Sequence, residues 1–313
     1  ASRRGCGRTA GRKGDPGMIE ELRFVWYPAK KLDAFHRFLG GAVGLQSADG
    51  SDDIARFRSD ERSYSVECDA TGATSKPVVG FSVRYQSDLD DITGKLTACG
   101  LEPARLSAEV CAGKLYRDAV AFEDFAGNRF EIVVRHENKS QRFFPARDAG
   151  IKAISSVDLR SPDPERDMAI WTEVFGARVR DFAGESGQLG FDERHHRIAY
   201  YPSQRSGLLS VNFEVGDLND IMRSKYLLAN QQVRILDGPG RDPASGEVFL
   251  YFQGPEDLIV SYGTGMKTVE PDWTARQFRN ARDSFCMWNS DGLLPERWGA
   301  DWETQDNRKV GTR

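Results

Sequence analysis

Two adjacent histidines, His195 and His196, are the side chains of this 313-residue sequence best suited to moving a proton. An imidazole changes charge near neutral pH and needs no metal to act as an acid or base. The other histidines are His36 and His136. If His195 and His196 lie in a strand, they point to opposite faces and cannot share one ion. His36 falls in an early helix and His136 just beyond a strand, and both read as surface or packing residues. The five cysteines are Cys6, Cys68, Cys99, Cys111 and Cys286, with no C-x-x-C pair. That pattern argues against a disulfide framework or a thiolate zinc site and suits a reducing cytoplasm. Gly238-Pro239-Gly240 reads as a turn, since no helix carrying Lys-Ser/Thr follows it. Ser206-Gly207 and Gly184-Glu-Ser-Gly187 lack the strand–elbow–helix setting of a nucleophilic serine.

Alternation supplies the remaining candidates. Around Val157, Ser156, Asp158 and Arg160 share one face of a strand, with Val157 and Leu159 opposite. Around Val211, Ser210, Asn212 and Glu214 share a face, with Val211, Phe213 and Val215 opposite. The polar faces should line a cavity and the apolar faces should pack under helices.

An internal repeat positions these strands. Phe81-Ser-Val-Arg-Tyr-Gln-Ser-Asp-Leu-Asp-Asp-Ile92 is similar to Val211-Asn-Phe-Glu-Val-Gly-Asp-Leu-Asn-Asp-Ile221. Each reads as a strand, an aspartate cap (Asp88, Asp217) and a helix. Phe24-Val-Trp-Tyr-Pro leads into a helix holding Leu32, Phe35 and Leu39, and Val157-Asp-Leu-Arg-Ser-Pro into one holding Met168, Trp171 and Val174. The chain divides into residues 1–17, a disordered or non-native extension; modules over 18–148 and 149–265; and a tail over 266–313. The tail carries Trp273, Trp288, Trp298 and Trp302. That much aromatic area is expected to dock on the body or on a second copy, which makes a homo-oligomer an expectation.

Composition narrows the class. At 39% hydrophobic and 11% aromatic the chain can build cores. No apolar run is long enough for a membrane helix. The net charge is −4, with the basic residues Arg3, Arg4, Arg8, Arg12 and Lys13 near the start, so the body is more acidic still. Such a body repels nucleic acid and anionic membranes, and neither is an expected partner.

The paired modules resemble the vicinal oxygen chelate superfamily, and in particular the type I extradiol ring-cleavage dioxygenases. The resemblance implies an α+β fold of two tandem modules, each built from paired βαβββ units around a cup. The family site, in the second module, holds Fe(II) or Mn(II) with two His and one Glu. Carried over by motif, the first ligand position falls at Ser156 in Ser155-Ser156-Val-Asp-Leu-Arg, the second at Ser210 ahead of Val-Asn-Phe-Glu-Val, and the third at Ser261 before Tyr262-Gly263. A family His and Asp flanking the substrate fall at Asp242 and Ser245. His196 matches a family acid–base histidine, and Tyr251 a tyrosine that hydrogen-bonds the substrate. The expectation is therefore no metal and no cofactor. The cup is expected to have His196 and Tyr251 as acid–base groups, Asp158 as an orienting carboxylate for the imidazole, and Ser156, Ser210, Asn212, Ser261 and Asp242 as substrate-binding residues. Three functions stay open: a metal-independent lyase, hydrolase or isomerase on an aromatic or ring-derived molecule; a non-catalytic ligand-binding or partner-subunit paralogue; and an extradiol dioxygenase whose ligands lie elsewhere.

Overall fold

The protein is described here by a computed structural model covering residues 18–298; the extension at 1–17 and Trp302 lie outside the described residues. The first sheet contains β1 (Ile19–Pro28), β2 (Gln46–Ser51), β3 (Ile54–Arg58), β4 (Val66–Asp69), β5 (Val78–Val83), β6 (Ala104–Arg105), β7 (Asp118–Glu123) and β8 (Arg129–Val134), in the order β2-β3-β4-β1-β5-β8-β7-β6. The second contains β9 (Ile151–Ser161), β10 (Arg178–Ala183), β11 (Ser186–Gly190), β12 (Ile198–Pro202), β13 (Gly207–Val215), β14 (Ile235–Arg241), β15 (Val248–Gln253), β16 (Ile259–Thr264) and β17 (Arg276–Phe278), in the order β14-β15-β16-β13-β9-β12-β11-β10-β17. In all four units the opening strand pairs in parallel with the closing one: β1 with β4, β5 with β8, β9 with β12 and β13 with β16. That geometry requires a crossover, and the helices supply it. They are α1 (Leu32–Phe35, continued by a π-helical stretch His36–Val43), α2 (Gln86–Ala98), α4 (Pro164–Glu173) and α5 (Leu218–Asn230), with the short α3 (Ala108–Gly113) in the second unit. The architecture is the expected α+β pair of sheets built from βαβββ units. Among the described residues no helix is long and apolar enough to cross a membrane.

The two aspartates of the repeat behave differently. Asp217 is the N-cap of α5, and its Oδ1 accepts from the amides of Asn219 at 2.7 Å and Asp220 at 3.2 Å. Asp88 is not a cap. Helix α2 starts earlier, at Gln86, so Asp88 lies in the first turn and accepts from the Tyr85 amide at 3.0 Å.

The register of the repeat explains why the first cup is closed. Val25 lies opposite Val66 and Val79, as Val157 lies opposite Ile198 and Val211. Phe24 therefore stands where the second module has Ser156. Gly80, paired with Phe24 and Glu131, stands where it has Asn212, paired with Ser156 and Ser261. The Phe24 ring lies directly over Gly80, where a Cβ would collide with it. It stacks on Tyr116 at 6.1 Å and tilts against Tyr64 at 5.4 Å. The first cup is thus filled with aromatic side chains. His136 belongs to this packing, buried against Phe24 and Tyr64, and His36 is exposed beside Phe57.

Cys68, Cys111 and Cys286 are buried thiols. Cys99 is disulfide-bonded, a departure from the expectation of thiols throughout. The described part of the tail docks on its own chain. Strand β17 extends the second sheet beside β10, Trp273 donates to the Arg180 carbonyl at 2.9 Å, and Trp298 to that of Gly292 at 2.8 Å. Trp288 is largely exposed.

Candidate active site

Strands β9, β13 and β16 lie side by side, so Asn212 on the central strand faces Ser156 on one neighbour and Ser261 on the other. Its carboxamide is a hub. Nδ2 donates to Ser156 Oγ at 3.0 Å, and Oδ1 accepts from Ser210 and from Ser261, both at 2.8 Å. The three serines at the family's ligand positions are therefore joined to one another through Asn212. Ser210 Oγ also lies 2.7 Å from Asp158 Oδ2, with a single hydrogen to share between the two acceptors. All five side chains are buried. Burial pushes the Asp158 carboxyl up, against the pull of its Ser210 bond and of the Arg297 charge.

Tyr251 donates to Asp158 Oδ2 at 3.1 Å, so Asp158 serves the tyrosine and Ser210. The hydrogen bond expected from Asp158 to the imidazole is not made; the ring partner of His196 is His195 instead. The two histidines also depart from the expectation of opposite faces. They precede β12, in the loop entering it, where strand alternation does not apply. Their rings stand perpendicular at 5.5 Å, with Nδ1 to Nδ1 at 3.2 Å. His195 Nε2 is 2.8 Å from Asp181 Oδ2 on β10. Burial, and then the neighbouring His195, hold His196 down at about 3, so it is neutral at physiological pH. Burial would raise Asp181, but hydrogen bonds from His195 and Arg276 outweigh it and hold the carboxyl at about 2.

Two further side chains complete the cup. Arg297, in a short 3-10 turn of the tail (Pro295–Arg297), is 5% exposed. It donates to Tyr201 Oη at 2.9 Å, to the Phe285 carbonyl at 2.9 Å, and more weakly to Tyr251 Oη at 3.4 Å and Asp237 at 3.3 Å. Its guanidinium lies 4.5 Å from the centre of the Phe249 ring. Glu247 shares a face with Phe249 and Tyr251 by alternation, and its carboxyl sits over Gly263, which has no side chain to displace it. Burial, then the charges of Asp242 and Asp158, push it up to about 8. Neither residue was singled out by sequence. Glu247 had the right parity relative to Tyr251, a usable signal; Arg297 reaches the cup from a distant segment with no local pattern.

Asp242 accepts from Gln188 Nε2 at 3.0 Å and Ser245 Oγ at 2.8 Å. Burial works to raise it, but the Arg297 charge and these bonds keep it low. Asp242, Gln188, Tyr201, Phe285 and Arg297 line a small cavity of about 10 Å³. Of the residues expected to line the cup, only Asp242 is on this wall; His196, Tyr251 and Asp158, and with them Ser156, Ser210, Asn212 and Ser261, are packed behind it, the last four bonded to one another, while Arg297, which touches Tyr251, is on it. Among the described residues no group of three His, Cys, Asp or Glu side chains is placed to hold a metal ion.

Residues 153–260 match the Glyoxalase/Bleomycin resistance protein/Dioxygenase superfamily. Among curated proteins the chain is 24% identical over 307 residues to biphenyl-2,3-diol 1,2-dioxygenase of Pseudomonas sp. (strain KKS102), covering 89% of this chain and 99% of that one. It is 22% identical over 293 residues to 3-methylcatechol 2,3-dioxygenase of Pseudomonas putida, covering 88% and 99%. Among solved structures it is similar to BphC, a halotolerant catechol dioxygenase, with a TM-score of 0.80 at 20% identity over 89% of this chain and 96% of that one. It is also similar to the Mn(II)-bound glyoxalase from Novosphingobium aromaticivorans, at 0.79 and 24% over 90% and 94%. Residues 153–260 are thus similar to the glyoxalase/dioxygenase superfamily, and the two-module fold is similar to that of the extradiol dioxygenases.

Proposed function

We propose that this protein acts on a small aromatic or ring-derived molecule by acid–base chemistry at His196 and Tyr251, with no metal at the family's three ligand positions. The observation that carries this is the Asn212 hub. Ser156, Ser210 and Ser261 offer neutral hydroxyls, each already hydrogen-bonded to one carboxamide. Such oxygens do not offset the cost of dehydrating Fe(II) or Mn(II), which take imidazole and carboxylate donors. The donor set does not fit the family's metal, and it gives no support to an ordinary extradiol dioxygenase.

In this reading His196 accepts a proton from the substrate, and Tyr251 stabilises the oxyanion left behind. At rest the Tyr251 hydrogen is held by Asp158 Oδ2, and in this reading it turns to the substrate oxygen. Asp242, Arg297 and Gln188 supply polar contacts at the cavity wall, and Tyr201 and Phe285 its aromatic area. Proton transfer of this kind belongs to an isomerase, lyase or hydrolase step. Exposed Met287, Trp288 and Leu293 on the tail support self-association, readable by light scattering.

A second reading, a non-catalytic ligand-binding or partner-subunit paralogue, is favoured by one observation: His196 and Tyr251 stand off the wall of a small cavity screened by Arg297. The test is a turnover screen with catechols and ring-cleavage-type compounds, beside metal analysis after incubation with Fe(II) and Mn(II). The expected outcome is sub-stoichiometric metal, and turnover that falls roughly 10²–10⁴-fold in His196→Ala and Tyr251→Phe. Full metal occupancy with oxygen uptake on a catechol would sink the proposal. Binding without turnover favours the second reading.

A further inference from the structure

The geometry points to Asp181 and His195 as positioning residues for His196: a carboxylate–imidazole–imidazole relay that presents His196 Nε2 as a bare lone pair and carries a proton away from it. This rests on His196 being the base proposed above.

The assignment follows from counting hydrogens. Asp181 is clamped by Arg276, whose backbone amide and Nε both donate to Oδ1, at 2.8 and 3.0 Å, and whose Nη2 donates to Oδ2. The carboxylate therefore accepts, and His195 Nε2, at 2.8 Å, must carry the hydrogen. In the neutral ring this leaves a lone pair on His195 Nδ1. The contact to His196 Nδ1 at 3.2 Å is a hydrogen bond only if His196 Nδ1 carries a hydrogen. The lone pair of His196 is then on Nε2. Trp273 packs edge-on against the His195 ring at 5.6 Å, fixing its plane from the tail side.

The relay also settles where the charge goes. His196 is fully buried, and burial, then the neighbouring His195, disfavour its imidazolium. When a substrate O–H bond breaks, the electron pair stays on oxygen and the proton bonds to His196 Nε2. The hydrogen on His196 Nδ1 then passes to His195 Nδ1. His196 ends neutral, in its other tautomer. The imidazolium resides on His195, against the Asp181 carboxylate, whose charge Arg276 shares. Reversal of both transfers returns the proton to the product.

Nitrogen-15 NMR of the histidine rings in the full chain tests this without any substrate. Resonances are assigned with His195→Gln and His196→Gln. The expected wild-type pattern is His195 protonated at Nε2 and His196 protonated at Nδ1. His196 protonated at Nε2, or His195 at Nδ1, overturns the relay. In Asp181→Asn the amide oxygen should settle at the Oδ1 position, where two Arg276 donors meet, and the amide nitrogen should face His195. Both tautomers should then invert; unchanged tautomers in a folded variant overturn the role of Asp181. Should that variant not fold, the wild-type pattern alone decides. Absence of turnover with every compound would sink the enzymatic reading and leave these tautomers untouched, so the two failures are distinct.

Discussion

Glu247 is a carboxyl group held where its charge is unwelcome. Burial, Asp242 and Asp158 raise it from the model-compound value of 4.5 to about 8. Between those values the folded chain keeps a proton that the unfolded chain has released, so this group's contribution to stability is full below about 4.5 and falls as pH rises to about 8. Asp124, raised to about 7 chiefly by burial, acts in the same sense. His196, depressed to about 3, acts in the opposite sense below its unfolded value. The clean readout is a difference between proteins. Glu247→Gln keeps the shape and removes the titration, so its Tm relative to wild type should climb steadily from pH 5 to pH 8. A constant offset would show that Glu247 is not the group titrating there. At this scale the sequence was legible wherever alternation reached. Ser156, Asp158, Ser210 and Asn212 lie together as their parity predicted, and Ser261 and Tyr251 join them as the resemblance implied. The His195–His196 geometry was not legible, because it depends on those residues lying in a loop, and a one-residue difference in where β12 starts changes which way they point.

The elements most exposed to misreading were those whose position depends on distant partners. The four unit-opening strands and their helices follow from local patterning, and the Asp217 cap follows from chemistry at one turn. Asp88 misled because the same residue type serves a cap or a first turn equally well. The tail gave only an aromatic count, and the side chain that enters the cup is an arginine. Arg297 holds the tail segment by bonds to Tyr201, Phe285 and Asp237. Asp237 is itself 5% exposed, so removing the guanidinium leaves a buried carboxylate without its cation. Arg297→Ala should therefore detach the segment around Arg282–Trp298 before it unfolds either sheet. Limited proteolysis should cut there much faster than in wild type, while circular dichroism of the body stays the same. Equal cutting rates would mean that the tail is held by other contacts, with Trp273 and the pairing of β17 the nearest candidates.

Across the whole molecule the two sheets do not have separate interiors. A single apolar cluster runs from Leu22 and Phe35 in the first to Val211 and Tyr262 in the second. The helix α4, which belongs in sequence to the second module, drives Trp171 between them. Its ring lies 4.9 Å from Phe81 and 5.0 Å from Phe130 of the first sheet, and 4.8 Å from Phe175. Its Nε1 donates to Tyr200 Oη at 3.0 Å, and that hydroxyl donates to Asp124 back in the first module at 3.0 Å. Phe38 makes the reciprocal contact, 6.0 Å from Phe252 of the second sheet. Modules joined in this way should unfold together, although chains of this length often do not. Calorimetry of the wild type should show one transition. Trp171→Ala should lower it by about 3–5 kcal/mol, the cost of emptying a large buried site, and keep it single. Trp171→Phe should cost much less, losing the Tyr200 bond and part of the ring. Two resolved wild-type transitions, with only the second shifted by Trp171→Ala, would mean that the shared cluster is contact without cooperativity, and that the second module can be isolated and studied alone.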